Sequence, residues 1–142
     1  MRGSEASPWT MLLDRRQMES ILRRLLGFFL LAEDSVEMEI ADDQGIADLN
    51  RRFLGLTGPT NVLSFPSGDA DATGFLGSMT ISLETVLRES LLYRQDPRLH
   101  AARMLAHGVL HLLGSGHGPF MQEQTEAAVQ SVREGLQERS LP

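Results

Sequence analysis

Hydrophobic residues recur along this chain in two rhythms. From Asp14 onward, Met18, Ile21, Leu22, Leu25 and Leu26 return every three or four positions, predicting a helix capped by Asp14 with its arginines on the opposite side. Ser35 to Ala41 (SVEMEIA) alternates instead, with Val36, Met38 and Ile40 on one face and Glu37 and Glu39 on the other, as a half-buried strand does. Asp42–Asp43 open a second helix with Ile46, Leu49 and Phe53 as its buried stripe, ended by Gly55, Gly58 and Pro59. Thr60 to Phe65 (TNVLSF) reads as a strand closed by Pro66. Ser67 to Gly74 (SGDADATG) is turn chemistry, and a further strand covers Phe75 to Ile81.

The remainder is helical. Ser82 and Glu84 begin a third helix that runs to about Arg94. Asp96 and Pro97 start a fourth, with Pro97 at the first helical position, where its missing N–H costs nothing. That helix passes through Leu99, Met104, Leu105, His107 and His111 and stops at Gly114. A last helix covers about Pro119 to Gln137, with Met121, Ala128, Val129, Val132 and Leu136 apolar. A short strand near Trp9 to Leu12 would precede the first helix. The order α-β-α-β-β-α-α-α predicts an α+β domain, a small mixed sheet of about three to four strands packed against about five helices. At 142 residues the chain is expected to be a single domain over 1–142, with residues 1–8 flexible.

Composition narrows the possibilities. Hydrophobic content of 42% and charged content of 23% fit a soluble globular chain, and the absence of cysteine excludes both disulfides and a thiolate metal site, in keeping with a reducing cytoplasm. No stretch reaches the roughly eighteen apolar residues of a spanning helix, and MRGSEASP has no apolar core of a signal peptide. Neither a spanning helix nor a signal peptide is therefore expected, and no membrane partner. All thirteen basic residues are arginine and the net charge is −6, a poor starting point for binding nucleic acid by a broad basic footprint. The pairs Arg15–Arg16, Arg23–Arg24 and Arg51–Arg52 read as solvated helix faces, although a local basic face is compatible with a negative total.

The distinctive chemistry is a histidine cluster. Of four histidines, three fall in HGVLHLLGSGH. His107 and His111, four apart on a helix, point about 40° apart around its axis and so converge on one ion. Gly114 lets the chain leave the helix, and Ser115 and Gly116 turn it back so that His117 becomes the third ligand. Val109, Leu110, Leu112 and Leu113 are the packing positions between them. Three imidazoles with an open fourth position describe a catalytic zinc site, in which the metal lowers the pKa of bound water. His100 reads as an ordinary polar surface or satisfied core residue. The spacing H-x-x-x-H-x-x-G-x-x-H matches metzincin proteases, but Gly108 stands where those enzymes carry their glutamate base. Glycine would leave the ion uncrowded and without a built-in base, which argues against peptide hydrolysis.

HGVLHLLGSGH, preceded by PTNVLSFP from Pro59 to Pro66, resembles the YbeY family of bacterial rRNA maturation factors, described as single-strand-specific endoribonucleases. The resemblance runs from about Val36 to the C-terminal helix. It implies a metallohydrolase-like α+β fold, one zinc ion on His107, His111 and His117, a cytoplasmic location, and action on ribosomal RNA, including 16S 3′-end maturation and ribosome quality control. rRNA and the ribosome or small-subunit assembly intermediates would be the partners, with no DNA expected. Three positions depart from the family pattern. Gly116 replaces an aspartate before the third ligand, Gly77–Ser78–Met79 replaces G-D-I, and Leu54 replaces an arginine of a Y-R-G-K-D segment linked to RNA handling.

The expected reaction is metal-assisted cleavage of an RNA phosphodiester. Thr60, Asn61 and Ser64 would line the cleft and contact the RNA backbone, or else serve only strand polarity and turn capping. Arg51 and Arg52 would hold phosphates. Two alternatives stand beside this reading: a metal-dependent hydrolase of another bond with Glu84 or Glu123 as base, and a non-catalytic ribosome assembly factor stapled by zinc. Asp69 and Asp71 fit a solvated loop better than a second metal site.

Overall fold

The computed structural model describes residues 13–56, 58, 60–69, 73–114 and 118–140. Within them the chain forms α1 (Arg15–Phe28), β1 (Ser35–Ala41), α2 (Asp43–Leu54), β2 (Val62–Pro66), β3 (Phe75–Ser82), α3 (Leu83–Leu92), α4 (Pro97–Leu112) and α5 (Pro119–Ser140). The expected strand near Trp9 to Leu12 lies outside the described residues. Helix starts follow the polar residues that mark them. Asp14 and Gln17 form a reciprocal capping box at 2.8 and 2.9 Å, and Asp42 accepts the Gly45 N–H at 2.7 Å. Ser82 and Asp96 cap α3 and α4 by accepting the Thr85 and Arg98 N–H groups.

The strands form one mixed sheet in the order β1-β3-β2, with β3 parallel to β1 and antiparallel to β2. That central place explains why β3 is buried along most of its length while β1 alternates. The register puts Val62 opposite Ile81 and Ser64 opposite Met79, on the face that receives α4. α1, α4 and α5 gather on this side around Met18, Leu25, Leu105, Val109 and Val129, all buried. α2 lies against the other face, and its own buried residues are Ile46 and Asn50.

Two packing expectations fail. Phe53 is 58% exposed rather than part of a buried stripe. Among the described strands β2 is an edge, and the Phe53 ring meets the Phe65 ring edge-on at 5.6 Å with the Arg52 guanidinium 5.9 Å from its centre. Asn50 takes the inward position and donates to the Gly58 carbonyl at 3.0 Å. Leu113 is likewise 45% exposed, because it caps α4 beyond the last residue that faces the core.

The α1 arginines face outward as expected, yet two are tied down: Arg15 donates to the Met38 carbonyl of β1 at 3.1 Å, and Arg24 to the Ser131 carbonyl at 2.8 Å. No helix among the described residues is long and apolar enough to cross a membrane.

Asp43 fastens α2 to the β3–α3 junction. Its carboxylate accepts from Ser82 Oγ at 2.7 Å, Thr85 Oγ1 at 2.6 Å and Arg88 Nη1 at 3.0 Å. Burial by itself would raise its pKa, but the bonds from Thr85, Ser82 and Arg88 outweigh burial and hold the carboxyl below its ordinary 3.8. A depressed carboxylate stabilises the fold above its unfolded pKa, and the contribution is lost as pH falls through the folded value. Asp43→Asn is therefore expected to be less stable than the parent at pH 7 and to lose less further stability below about pH 4. Urea unfolding at a series of pH values measures both; parallel pH curves would contradict the assignment.

Candidate metal centre

α4 owes its position to one glycine. A Cβ built on Gly108 would lie 2.5 Å from Met79 Sδ and 3.0 Å from Ser64 Oγ, so the helix backbone rests directly on β2 and β3. Gly108 thus faces the sheet. The expectation that glycine there leaves the ion uncrowded is corrected: this position points at the sheet, and no side chain of any size fits it without displacing β-strand residues. The neighbouring turns carry His107 and His111, both half-buried. Their rings stand edge-to-face with centroids 4.6 Å apart, and their Nε2 atoms are 3.1 Å from each other.

Two nitrogens about 2.0–2.1 Å from a tetrahedral zinc ion are about 3.3 Å apart, so the pair fits a shared ion. His117 and Gly116 lie outside the described residues. Among the described residues no group of three or more His, Asp or Glu side chains could hold a metal ion.

Both histidines open onto a cleft of about 390 Å³ whose lining includes Leu54, Thr60, Asn61, Val62 and Ser64. The three polar residues picked from the strand motif are therefore gathered beside the histidine pair. Each polar side chain has a definite tether where one is seen. Ser64 Oγ donates to the Gly108 carbonyl at 3.2 Å, and Asn61 Nδ2 donates to the Glu89 carboxylate at 3.1 and 3.4 Å. The Asn61 carbonyl also accepts the Ser82 N–H at 2.9 Å, fixing the strand entry.

Other expected participants stand elsewhere. Glu84 accepts the Asp43 N–H at 2.8 Å and Glu123 is exposed on α5; neither lines the cleft. Arg51 is paired with Asp48 at 3.2 Å and Arg52 sits 5.9 Å from the Phe53 ring centre, also outside the lining. Asp69 belongs to a turn in which its carbonyl accepts from Thr73, as a loop reading requires, while Asp71 lies outside the described residues. Ser78 donates to Glu37 at 3.1 Å on the sheet face away from α4, so the carboxylate absent there is absent from the far side. Leu54, by contrast, stands at the cleft rim, 53% exposed.

Sequence reasoning passed over Glu89 and read His100 as no more than an ordinary polar surface or satisfied core residue. His100 is buried, 4% exposed, and its Nε2 lies 2.8 Å from the same Glu89 oxygen that Asn61 bonds. Nothing in the spacing marks this triad, because its members are 11 and 28 residues from Glu89 along the chain.

Residues 7–139 match the family model described as Endoribonuclease YbeY. This chain belongs to the endoribonuclease YbeY family. An endoribonuclease YbeY of Oleidesulfovibrio alaskensis is 40% identical over 139 residues, covering 83% of this chain and 82% of that protein. Another, of Lawsonia intracellularis, is 36% identical and covers 81% of this chain and 83% of its own. The solution structure of TM1509 from Thermotoga maritima superposes with a TM-score of 0.64 at 20% identity, over 98% of this chain and 89% of that one, a likeness of fold. Family membership and fold agree with the reading drawn from HGVLHLLGSGH and PTNVLSFP.

The tight helix–sheet contact is directly testable. Gly108→Ala should destabilise the protein by about 1–3 kcal/mol through overpacking, seen as a lower urea midpoint. An unchanged midpoint would mean that α4 has room to lift.

Proposed function

We propose that this chain is a zinc-dependent, single-strand-specific endoribonuclease that acts in rRNA maturation, at the 3′ end of 16S rRNA, and in ribosome quality control. The observation that carries the reading is the convergence of His107 and His111, Nε2 to Nε2 at 3.1 Å, on a cleft shared with Thr60, Asn61 and Ser64, in a chain of the endoribonuclease YbeY family. His107, His111 and His117 would hold the ion, which when bound lowers the pKa of water and polarises a phosphoryl oxygen. No Asp or Glu is found among the described residues lining the cleft, in keeping with a site that relies on a metal rather than a carboxylate base.

The chain's own contribution is positioning. Ser64 has its hydroxyl proton on the Gly108 carbonyl, so it acts as an anchor for substrate rather than a nucleophile. Asn61 is held at both backbone and side chain. rRNA within small-subunit assembly intermediates is the proposed substrate. The partner is RNA rather than DNA, and the cytoplasm is the proposed site of action.

One observation favours a second reading, a zinc-stabilised assembly factor with little cleavage. Among the described residues lining the cleft there is no arginine, and the rim position of the family's arginine is Leu54. Two variants separate these readings. His111→Ala should lose both bound zinc, by metal analysis, and cleavage of single-stranded rRNA; cleavage at the parental rate by a metal-free protein would overturn the mechanism. Leu54→Arg should bind single-stranded RNA several-fold more tightly, with a salt dependence steeper by about 0.7 in log–log slope, the value for one added phosphate contact. Unchanged affinity and slope would mean that RNA does not pass this rim.

A further inference from the structure

We infer that Asn61 and Ser64 form a hydrogen-bond-accepting wall that recognises the ribose 2′-hydroxyl next to the cut phosphodiester, and that Glu89 and His100 set its polarity. The inference rests on the nuclease reading above and deepens it.

The polarity follows from which partner each side chain already has. A carboxylate only accepts, so the Asn61 amide must turn Nδ2 toward Glu89, at 3.1 and 3.4 Å from its two oxygens. Flipping the amide would set Oδ1 against the carboxylate. Oδ1, the acceptor, is thereby left on the other branch of the amide in a residue that lines the cleft. Glu89 is itself held in place from below, since buried His100 Nε2 lies 2.8 Å from its Oε1. Ser64 reaches the same polarity by a different route. Its one hydroxyl proton goes to the Gly108 carbonyl, which leaves only lone pairs for a ligand.

Both are acceptors and repel phosphate oxygens, so the backbone contact expected of these two residues falls on the sugar rather than on the phosphates. They suit a donor. In a nucleic-acid strand whose phosphodiester sits at the histidines, the donor nearest the phosphorus is the 2′-hydroxyl, the group that distinguishes RNA from DNA. Asn61 and Ser64 are thus specificity-determining residues, and Glu89 and His100 are positioning residues that act through Asn61.

Uridine 3′-phosphate and its 2′-deoxy and 2′-fluoro counterparts contain no phosphodiester to cut, so their binding can be read with the intact, zinc-loaded protein by NMR titration. The parent should bind the ribonucleotide about three- to tenfold more tightly than either counterpart, the range of one or two neutral hydrogen bonds. Asn61→Leu should bring that ratio close to one. Glu89→Gln, nearly isosteric and so a safeguard if Asn61→Leu folds poorly, should lower the ratio and also move the Asn61 side-chain amide resonances, a signature that stability alone does not produce.

Equal binding of the three nucleotides by the parent, no binding of any of them at millimolar concentration, or a ratio that survives both substitutions would overturn the inference. RNA cleavage by the parent is measured in parallel. If RNA is cut while the ratio is one, only the acceptor wall falls; if no RNA is cut, the nuclease reading falls with it.

Discussion

The contact on which the rest of the molecule depends is the backbone-close approach of α4 to β2 and β3 at Gly108. Met79 Sδ and Ser64 Oγ stand 2.5 and 3.0 Å from the point where any larger residue would place its Cβ. The helix therefore lies so near the sheet that Ser64 bonds its main chain, and the turns on either side of Gly108 bring His107 and His111 over the start of β2. A wider separation would leave histidines on a helix and polar residues on a strand with no cleft between them. Packing of this kind tolerates little change in volume, which ties the chemistry to the core.

Around that contact the polar residues divide between two faces. Ser78 and Glu37 meet on the side turned from α4, whereas Asn61, Ser64 and the histidines share the other. The departures from the family pattern consequently differ in weight. Ser78 changes a sheet surface remote from the pair, while Leu54 changes the rim of the cleft itself. A rim with an apolar residue in place of a cation attracts phosphate less.

Half-buried Glu89, backed by buried His100, shows how a core group reaches a surface site. Asn61 alone has an amide free to present either end. With Glu89 behind it, and His100 behind Glu89, one orientation remains. Among the described residues Thr60 shows no comparable tether, so of the three strand residues it is the one whose contribution rests on position alone.

Local signals determined much of this protein. Capping residues Asp14, Asp42, Ser82 and Asp96, the alternation of SVEMEIA and the three-and-four spacing of α1 follow from backbone hydrogen bonding and side-chain periodicity, and these placed the elements. The i, i+4 pair His107 and His111 was legible for the same reason, because one helix sets its geometry. What sequence could not supply was whatever lies across two elements. Phe53 was misread because burial depends on how far the sheet extends beneath it, and Gly108 because its constraint comes from Met79 and Ser64, 29 and 44 positions away in the sequence. Glu89 and His100 look like ordinary helical polar residues until tertiary packing brings Asn61 against them. Periodicity reports a residue's own element; only the folded chain decides which side chains from different elements share a bond.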